Sequence, residues 1–370
     1  MINILIFGTG STSNFVTRLL NDNVEILAYV DNDNKKWRKH YYNKEIINPK
    51  YINEMKYDFI VIASQFNEEI CNQLLDMGIN KKRIFQFFKF VDLYWNMFKW
   101  QMDSYIKCEK KIEMLATGIS YTSSGLKEEL LNKKCFKFSI ASQDLYYDYT
   151  IVKNIIENYK EKTKNLKYLI IGLSYYSFQY DMSLSAMKNK VILYYEILKD
   201  AHHFKKVENI YIEYEINENI ASKIFKKDKD GWYDLNWNTK VLKIIEDKSH
   251  TGKLQAKIDC NKNYPKTVEE NKEIFKNYLK LLKNNNIKPI VVVFPASKYY
   301  TKYFSKKIED EFHSIINDFK KEYEFQYIDY FRSDLFEDDD FTDVSHLNPK
   351  GAEKFTQILN KEIQWQNGII

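Results

Sequence analysis

The sequence contains few cysteines and no pair of them at close spacing. Its 370 residues include four cysteines, which are Cys71, Cys108, Cys135 and Cys260. None forms a CxxC pair, so neither a disulfide framework nor a cysteine zinc site is expected, and a reducing compartment fits. Glycine (10) and proline (5) are also scarce beside abundant Ile, Lys and Asn. We interpret this bias as the mark of an AT-rich coding sequence and not as a functional signal.

Strong charge and long apolar runs are also missing. The formal net charge is +5, from 56 basic and 51 acidic residues. That excess is too small to indicate a nucleic-acid partner. No apolar stretch reaches the roughly 18 residues of a membrane-spanning helix, and MINILIFG lacks the pattern of a signal peptide. We therefore expect a soluble cytoplasmic protein with no integral membrane segment.

Packed cores are well supported, because 44% of the residues are hydrophobic and 16% are aromatic. Strand-like and helix-like segments alternate along the chain, which predicts an α/β protein with parallel sheets. We divide it into a Rossmann-like domain (1–95), a linker helix (96–110) and a second α/β/α domain (111–370). Residues 201–265 are predicted to be an insertion in the second domain.

The first domain begins with a strand, a glycine-containing turn, a helix and a second strand that ends at Asp31. This order is typical of a Rossmann-type βαβ unit. Gly8 and Gly10 permit a tight turn that directs a helix N-terminus toward a phosphate, and Asp31 can accept from a ribose hydroxyl. Ser13 replaces the third glycine of GxGxxG. Alternatively, the two glycines serve only close packing of strand and helix, and we weigh both interpretations equally.

Four segments carry a resemblance: GTGS (8–11), AYVDND (28–33), Asn48-Pro49 and YDFIVIAS (57–64). They resemble the small sugar-nucleotide-binding domains of bacterial sugar-modifying proteins, such as those preceding some left-handed β-helix acyltransferases. The resemblance implies a nucleotide or nucleotide-sugar ligand and no redox chemistry. The residues that it places at the ligand are Gly8, Gly10, Ser11, Asp31 and Ser64.

In the second domain, Ser120 follows the predicted strand 111–117 and precedes a helix expected over 123–132. Serine is a weak nucleophile without a neighbouring base. His346 can supply that base, and Asp343 can orient its imidazole from three residues earlier. Ser120 as a helix cap and His346 as a structural loop residue are the alternatives. Their joint placement at the ends of the first and last strands favours a catalytic triad.

GISY (118–121) and DVSHLNPKGAEKF (343–355) resemble the nucleophile and Asp-His blocks of the SGNH/GDSL hydrolase superfamily. The similarity is greatest to surface-polysaccharide and teichoic-acid acyl-modification proteins. It implies oxyanion donors from the Ser120 N–H and from the Ser142 and Gln143 backbone. Ser142 stands where the superfamily has glycine. In the block that usually supplies an asparagine donor no asparagine is present, and Ser174 or a tyrosine hydroxyl is expected to donate to the oxyanion instead.

These observations predict a serine-dependent O-acyltransferase or O-acylesterase, with acetyl as the expected acyl group. The substrate would be a bacterial surface glycan or its nucleotide-activated precursor, and polysaccharide-biosynthesis proteins would be partners. The acyl donor, and the choice between transfer and hydrolysis, stay open. No cofactor is expected for the triad and no metal site is expected, since His202, His203, His250 and His313 show no partner spacing. The alternative is a non-catalytic sugar-nucleotide-binding scaffold, which the two altered oxyanion blocks favour.

Overall fold

The computed structural model describes residues 1–64, 66–205, 207–226 and 242–365. The chain divides into two compact units, residues 1–97 with 205–236 and residues 98–204 with 237–370. Both units have an α/β fold built on a largely parallel sheet, as the sequence predicts. Residues 201–265, predicted as one insertion, are shared between the two units, and 206 and 227–241 lie outside the described residues.

The strands are listed here in chain order. They are β1 Ile2–Phe7, β2 Val24–Val30, β3 His40–Tyr41, β4 Lys44–Ile47, β5 Phe59–Ile62, β6 Ile84–Gln86, β7 Met114–Gly118, β8 Cys135–Ser139, β9 Tyr168–Leu173, β10 Lys288–Val293 and β11 Gln326–Asp329.

The helices of the described residues are numbered in the same way. They are α1 Ser11–Leu19, α2 Asn67–Asp76, α3 Phe87–Tyr94, α4 Met97–Lys107, α5 Ser120–Gly125, α6 Leu145–Asn158, α7 Lys160–Thr163, α8 Ile192–Leu198, α9 Val207–Ile224, α10 Lys248–Cys260, α11 Pro265–Asn284, α12 Lys298–Thr301, α13 Lys306–Glu322 and α14 Pro349–Glu362. None of these helices is both long enough and apolar enough to cross a membrane.

The first sheet has the strand order β3-β4-β2-β1-β5-β6, in which only the β3–β4 hairpin is antiparallel. Its parallel part, β4-β2-β1-β5-β6, follows the order 3-2-1-4-5 of a Rossmann-type sheet. The chain leaves β1 for β2 on one side and later enters β5 on the other. Ligands of such sheets bind beyond the carboxyl ends of the strands at this switch point, where Gly8 follows β1.

Helix α9 belongs to the first unit, although it is far from it in sequence. It packs on α3 and on the edge strand β6. The Asn217 side chain accepts a hydrogen bond from the Gln86 N–H at 3.2 Å. A backbone donor at the sheet edge is thereby satisfied, which limits unwanted pairing with another strand.

The second sheet is entirely parallel, with the order β11-β10-β9-β7-β8. This is the flavodoxin-like arrangement, whose switch point lies between the first and third strands in sequence, here β7 and β9. Every residue of β7 and β9 is buried, as expected for a sheet covered on both faces. Ser120 lies two residues beyond the end of β7, so the fold brings it to the switch point.

Candidate active site

Two glycines bring the Ser120 helix close to the sheet. Gly118 ends β7 with φ +139°, and a Cβ there would lie 2.2 Å from Thr122 Oγ1. A Cβ on Gly172 of β9 would lie only 1.8 Å from the same atom. Because both positions lack side chains, Thr122 packs directly against the two strands. Ser120, the first residue of α5, is thereby held above the strand ends.

The helix predicted over 123–132 is wrong in its position. Helix α5 starts at Ser120 and ends at Gly125. Its last turn is completed by Lys137 of β8, whose Nζ donates to the carbonyl oxygens of Ser123 at 3.1 Å and Leu126 at 2.7 Å. These carbonyls are paired with a side chain instead of with further helical turns, so the helix stays short.

His346 lies in a loop that is closed at both ends. Phe341 and Leu347 form a β-bridge across its base, and the Thr342 N–H donates to the His346 carbonyl at 2.9 Å. Ser297, just beyond β10, donates its hydroxyl to the Val344 carbonyl at 2.6 Å. The loop is therefore fixed to the same sheet edge from which Ser120 emerges.

Ser120, His346 and Asp343 form one hydrogen-bonded row. Ser120 Oγ lies 2.9 Å from His346 Nε2, and His346 Nδ1 lies 3.0 Å from Asp343 Oδ2. Asp343 Oδ1 also accepts from the N–H groups of Ser345 and His346, at 2.8 and 2.9 Å. Burial raises the pKa of Asp343, but the hydrogen bonds and the imidazole outweigh it and lower the pKa to about 2. An ionised Asp343 holds the proton on Nδ1 and leaves Nε2 free to accept from the serine.

A buried tyrosine supports the face of the imidazole. The Tyr121 ring stacks on His346 with the ring centroids 4.9 Å apart and the planes 19° from parallel. Its hydroxyl is hydrogen-bonded to Tyr176 and Tyr300, and Tyr300 donates to Asp259 Oδ2 at 2.8 Å. These contacts restrict rotation of the imidazole, so the row is held by packing as well as by hydrogen bonds.

The predicted oxyanion donors differ in whether their N–H groups are already hydrogen-bonded within the protein. Ser120 begins α5, so its N–H has no partner within the helix. Gln143 is removed from the set, because its N–H donates to the Ile140 carbonyl at 3.0 Å. Its side-chain amide is equally engaged, donating to the Phe138 carbonyl at 3.0 Å and to Asp148 at 2.6 Å. Gln143 therefore holds the turn together, and its backbone and side-chain N–H groups are already used within the protein.

Ser142 and Ser174 also differ from the family pattern. Ser142 has φ +72°, a conformation that suits the glycine expected there, and its carbonyl accepts from the Tyr180 hydroxyl at 3.2 Å. Donation from its N–H stays a prediction. The Ser174 N–H donates to Ser177 Oγ at 2.9 Å, and the two hydroxyls lie 3.2 Å apart. The Ser174 hydroxyl thus has a neighbour in Ser177, and its donation to an oxyanion stays a prediction.

Two buried carboxylates beside this turn were not predicted as site residues. Asp144 caps α6 by accepting from the Tyr147 N–H at 3.0 Å, and it accepts from the Met182 N–H at 2.7 Å. Burial raises the pKa of Asp144 to about 6. Burial also raises the pKa of Asp148 well above its usual value. The turn after β8 thus rests on two carboxyl groups with elevated pKa values.

The first unit contains a cleft of about 720 Å³ at its switch point. Four predicted ligand residues line it, namely Gly8, Gly10, Asp31 and Ser64. Ser11 begins α1, and its side chain lies outside the described residues. A Cβ on Gly10 would meet nothing within 4 Å, whereas a Cβ on Gly8 would lie 2.7 Å from the Ala63 carbonyl oxygen. Gly8 therefore serves close packing, and Gly10 leaves space in the cleft.

The Asp31 carboxylate is already bonded within the protein. It accepts from Thr9 Oγ1 at 2.5 Å, from Lys36 Nζ at 2.9 Å and from the Asp33 N–H at 2.9 Å. Burial raises its pKa, but these donors outweigh burial and lower the pKa. A ribose hydroxyl would have to share these acceptor positions. Lys36 also places a cation at the wall of the cleft.

A histidine–carboxylate cluster in the second unit was missed by the sequence analysis. His202 and His203 lie between Asp181 and Glu270, and a candidate ligand atom from each of the four residues lies within 4.8 Å of the others. The sequence analysis predicts no metal site at these histidines, because they show no partner spacing. The adjacent His-His pair was the available signal, but its acidic partners lie too far along the chain to form a recognisable spacing.

Two family models match separate parts of the chain. Residues 1–85 match the model described as C2185-like, N-terminal, and residues 238–361 match the DltD protein model. Each match covers less than half of the chain. The second match includes Asp343 and His346 and supports an SGNH-type domain in the second unit. A search of curated proteins finds none that matches.

Solved structures give weak likenesses. UDP-D-quinovosamine 4-dehydrogenase from Vibrio fischeri aligns at 23% identity over 21% of this chain and 73% of its own, with a TM-score of 0.18. A putative acylhydrolase from Bacteroides fragilis aligns at 10% identity over 72% and 95%, with a TM-score of 0.35. A GDSL-like lipase from Bacteroides thetaiotaomicron aligns at 9% identity over 72% and 97%, with a TM-score of 0.33. These scores are too low to carry an argument about function.

Proposed function

We propose that this chain is a serine-dependent O-acyltransferase or O-acylesterase. The observation that carries the proposal is the continuous row Ser120–His346–Asp343, with contacts of 2.9 and 3.0 Å. A nucleophile within hydrogen-bond reach of a base, which is itself oriented by a carboxylate, is the arrangement needed for acyl transfer through serine. The DltD match across the Asp-His block gives independent support.

The chemistry proceeds in two balanced halves. Ser120 Oγ attacks the acyl carbonyl while His346 Nε2 takes its proton, and Asp343 stabilises the imidazolium. The oxyanion faces the Ser120 N–H and the predicted Ser142 N–H. Collapse expels the first alcohol, which receives the proton from Nε2. Water or an acceptor hydroxyl then loses a proton to Nε2 and attacks the acyl-enzyme, and Ser120 recovers its proton.

The proposed substrate is an acyl-modified bacterial surface glycan or its nucleotide-activated precursor, with acetyl as the acyl group. The sugar-nucleotide-binding resemblance of the first unit supports this choice. So do the open space at Gly10 and the cation of Lys36 in its cleft. A phosphate group would be attracted by Lys36 and by the nearby N-terminus of α1. A polysaccharide-biosynthesis pathway would supply the partners.

The triad is tested with a fluorophosphonate probe and with p-nitrophenyl acetate turnover. We expect wild type to be labelled, Ser120→Ala and His346→Ala to lose labelling and turnover, and Ser123→Ala on the same helix to retain both. Adding candidate acceptor alcohols separates transfer from hydrolysis, because a transferase forms acetylated acceptor at the expense of free acetate. A folded wild type without labelling or turnover would refute the catalytic proposal.

The non-catalytic scaffold remains the second candidate, and one observation favours it. The Gln143 N–H, one of the predicted oxyanion donors, is already bonded to the Ile140 carbonyl. Removing one oxyanion donor typically costs about 10²–10³ in rate. The scaffold would bind a nucleotide sugar without labelling at Ser120.

Ligand binding by the first unit is tested by calorimetry with UDP and UDP-N-acetylglucosamine. Gly10→Thr adds bulk on the open side of the cleft while keeping a residue type that is tolerated at a helix N-cap. We expect this variant and Lys36→Ala to weaken binding without loss of the fold. Wild type that binds neither nucleotide would contradict the ligand assignment and would leave the triad proposal standing.

A further inference from the structure

Three distant segments of the second unit bring the cluster together. Asp181 caps a short 3-10 turn after β9, His202 and His203 follow α8, and Glu270 lies on α11. Glu270 Oε1 is 3.1 Å from His202 Nε2 and 3.3 Å from His203 Nε2. With Zn–N and Zn–O bonds of about 2.0–2.2 Å, tetrahedral ligand atoms lie roughly 3.3–3.6 Å apart. The two distances from Glu270 to the Nε2 atoms are thus close to the edge length of such a site.

The opposite side of both imidazoles faces a buried carboxylate. Asp181 Oδ2 lies 2.7 Å from His203 Nδ1, and Asp181 Oδ1 lies 3.5 Å from His202 Nδ1. Asp181 is itself held by the N–H of Ser183 at 2.7 Å. Metal-binding histidines commonly donate their second ring N–H to such a carboxylate, which fixes the tautomer. Asp181 therefore favours a proton on His203 Nδ1, and it is the nearest acceptor for a proton on His202 Nδ1. The Nε2 atoms of both rings face Glu270, on the side where a cation would bind.

His202 has the strongest restraint and an unsatisfied ring nitrogen. Its side chain is only 8% exposed, and its ring stacks on Tyr146 with centroids 3.9 Å apart and planes 5° from parallel. Its Nδ1 is buried without a well-formed hydrogen bond, because the 3.5 Å contact with Asp181 is too long. Burying an unpaired polar atom is unfavourable. A small movement of His202 toward Asp181 on cation binding would satisfy Nδ1.

The cluster is open on its other side. His203 and Glu270 are each 39% exposed, so an ion can enter from solvent and a water can occupy a fourth position. Two imidazoles with one carboxylate suit Zn²⁺, whereas Mg²⁺ and Ca²⁺ prefer sites built from oxygen alone. We propose that Glu270 and the Nε2 atoms of His202 and His203 bind Zn²⁺, with Asp181 as the outer-sphere partner of both imidazoles.

The site would reinforce the support of the Ser142 turn. Tyr180, next to Asp181, donates its hydroxyl to the Ser142 carbonyl at 3.2 Å. On the other side of Asp181, the Met182 N–H donates to Asp144, the cap of α6. The ion would therefore fasten the segment that supports the predicted oxyanion loop to α11. Its role is structural, and it does not depend on Ser120 being a nucleophile.

The test uses the full chain, freed of metal with a chelator and titrated with Zn²⁺ alone by calorimetry. We expect equimolar binding and a higher melting temperature with Zn²⁺. Losing an outer-sphere partner typically lowers metal affinity about 10–100-fold, so we expect Asp181→Asn to bind Zn²⁺ about 10–100-fold more weakly than wild type. Glu270→Gln and His203→Ala each remove a ligand and should lose at least about 100-fold. His250→Ala, an exposed histidine outside the cluster, is the matched control and should bind as wild type does.

Cobalt substitution gives a second measurement. Co²⁺ bound to nitrogen and oxygen in a four-coordinate site produces intense visible absorption, which Glu270→Gln should abolish. Because Glu270 and His203 are partly exposed, their variants are expected to fold, and circular dichroism checks this. Wild type that binds no Zn²⁺, or Glu270→Gln and His203→Ala variants that bind it as wild type does, would overturn the proposal. A melting temperature that changes with pH and not with Zn²⁺ would show that the four side chains share protons and do not bind the metal. That result would also overturn the proposal.

Discussion

Replacing Gly172 by alanine tests how the fold positions the nucleophile. The new Cβ would lie 1.8 Å from Thr122 Oγ1 and 3.0 Å from the Phe294 ring. Ordinary contact begins near 3.4 Å, so the Thr122 side chain must retreat by about 1.6 Å (3.4 − 1.8) or turn away. Thr122 lies on α5, two residues after Ser120. The helix that carries the nucleophile is therefore the element expected to move.

The expected cost has a stability part and a catalytic part. Overpacking a core typically costs about 1–3 kcal/mol, which corresponds to roughly 2–12 °C in melting temperature for a unit of this size. A misplacement of about 1 Å at a reacting atom can cost about 10²-fold in rate. We therefore expect Gly172→Ala to remain folded at low temperature, with fluorophosphonate labelling of Ser120 slowed about 10²-fold.

Thr122→Ala is the matched partner. Thr122 Oγ1 is buried without a hydrogen-bond partner, so its removal should cost little. In Gly172→Ala/Thr122→Ala the remaining Cβ–Cβ distance is 3.1 Å, which predicts partial rescue of both melting temperature and labelling. A coupling energy of about 0.5–3 kcal/mol should appear in the double-mutant cycle. Additive effects, or normal labelling in Gly172→Ala, would refute the proposed role of Thr122 in positioning Ser120.

Three further predictions follow from the same contacts. Asp343→Asn should lower p-nitrophenyl acetate turnover by about 10⁴, because the imidazole loses the partner that fixes its tautomer, and a loss below tenfold would contradict this role. The pKa of Asp144 is raised to about 6, so the folded state keeps a proton that the unfolded state releases near pH 4. The free energy of unfolding should therefore fall as the pH rises from about 4 to 6, by at most roughly 3 kcal/mol. Urea unfolding of Asp144→Asn should show a flatter pH dependence over this range. Gly8→Ala should destabilise the first unit by about 1–3 kcal/mol, through positive φ and a 2.7 Å approach to the Ala63 carbonyl, whereas Gly10→Thr should change its urea midpoint little.

The features that depend on short stretches of sequence could be predicted. Alternating apolar strands and helices indicated two parallel-sheet units, because burial on both faces requires nearly continuous apolar strands. Asp343 and His346 are three residues apart, and such a spacing lets a carboxylate reach the imidazole without knowledge of the fold. Ser120 directly after a strand indicated a position at the sheet edge.

Boundaries and local donors were less predictable. The start of α5 at Ser120 depends on two glycines from different strands, Gly118 and Gly172, that admit Thr122. Its end depends on Lys137 from a third strand. Gln143 stood at a plausible oxyanion position, yet its N–H closes a turn on Ile140. Such partners are chosen by three-dimensional packing, which a single sequence does not display.

The sequence by itself determined the α/β class, the residues of the Ser120–His346–Asp343 row and the glycine turn after β1, since each rests on periodicity or short spacing. Only the tertiary structure decided that the Gln143 N–H closes a turn on Ile140 and that α9 packs with the first unit. It also assembled Asp181, His202, His203 and Glu270, which come from three separate segments. The physical reason is that contacts between distant segments depend on how whole elements pack, and no local pattern records that packing.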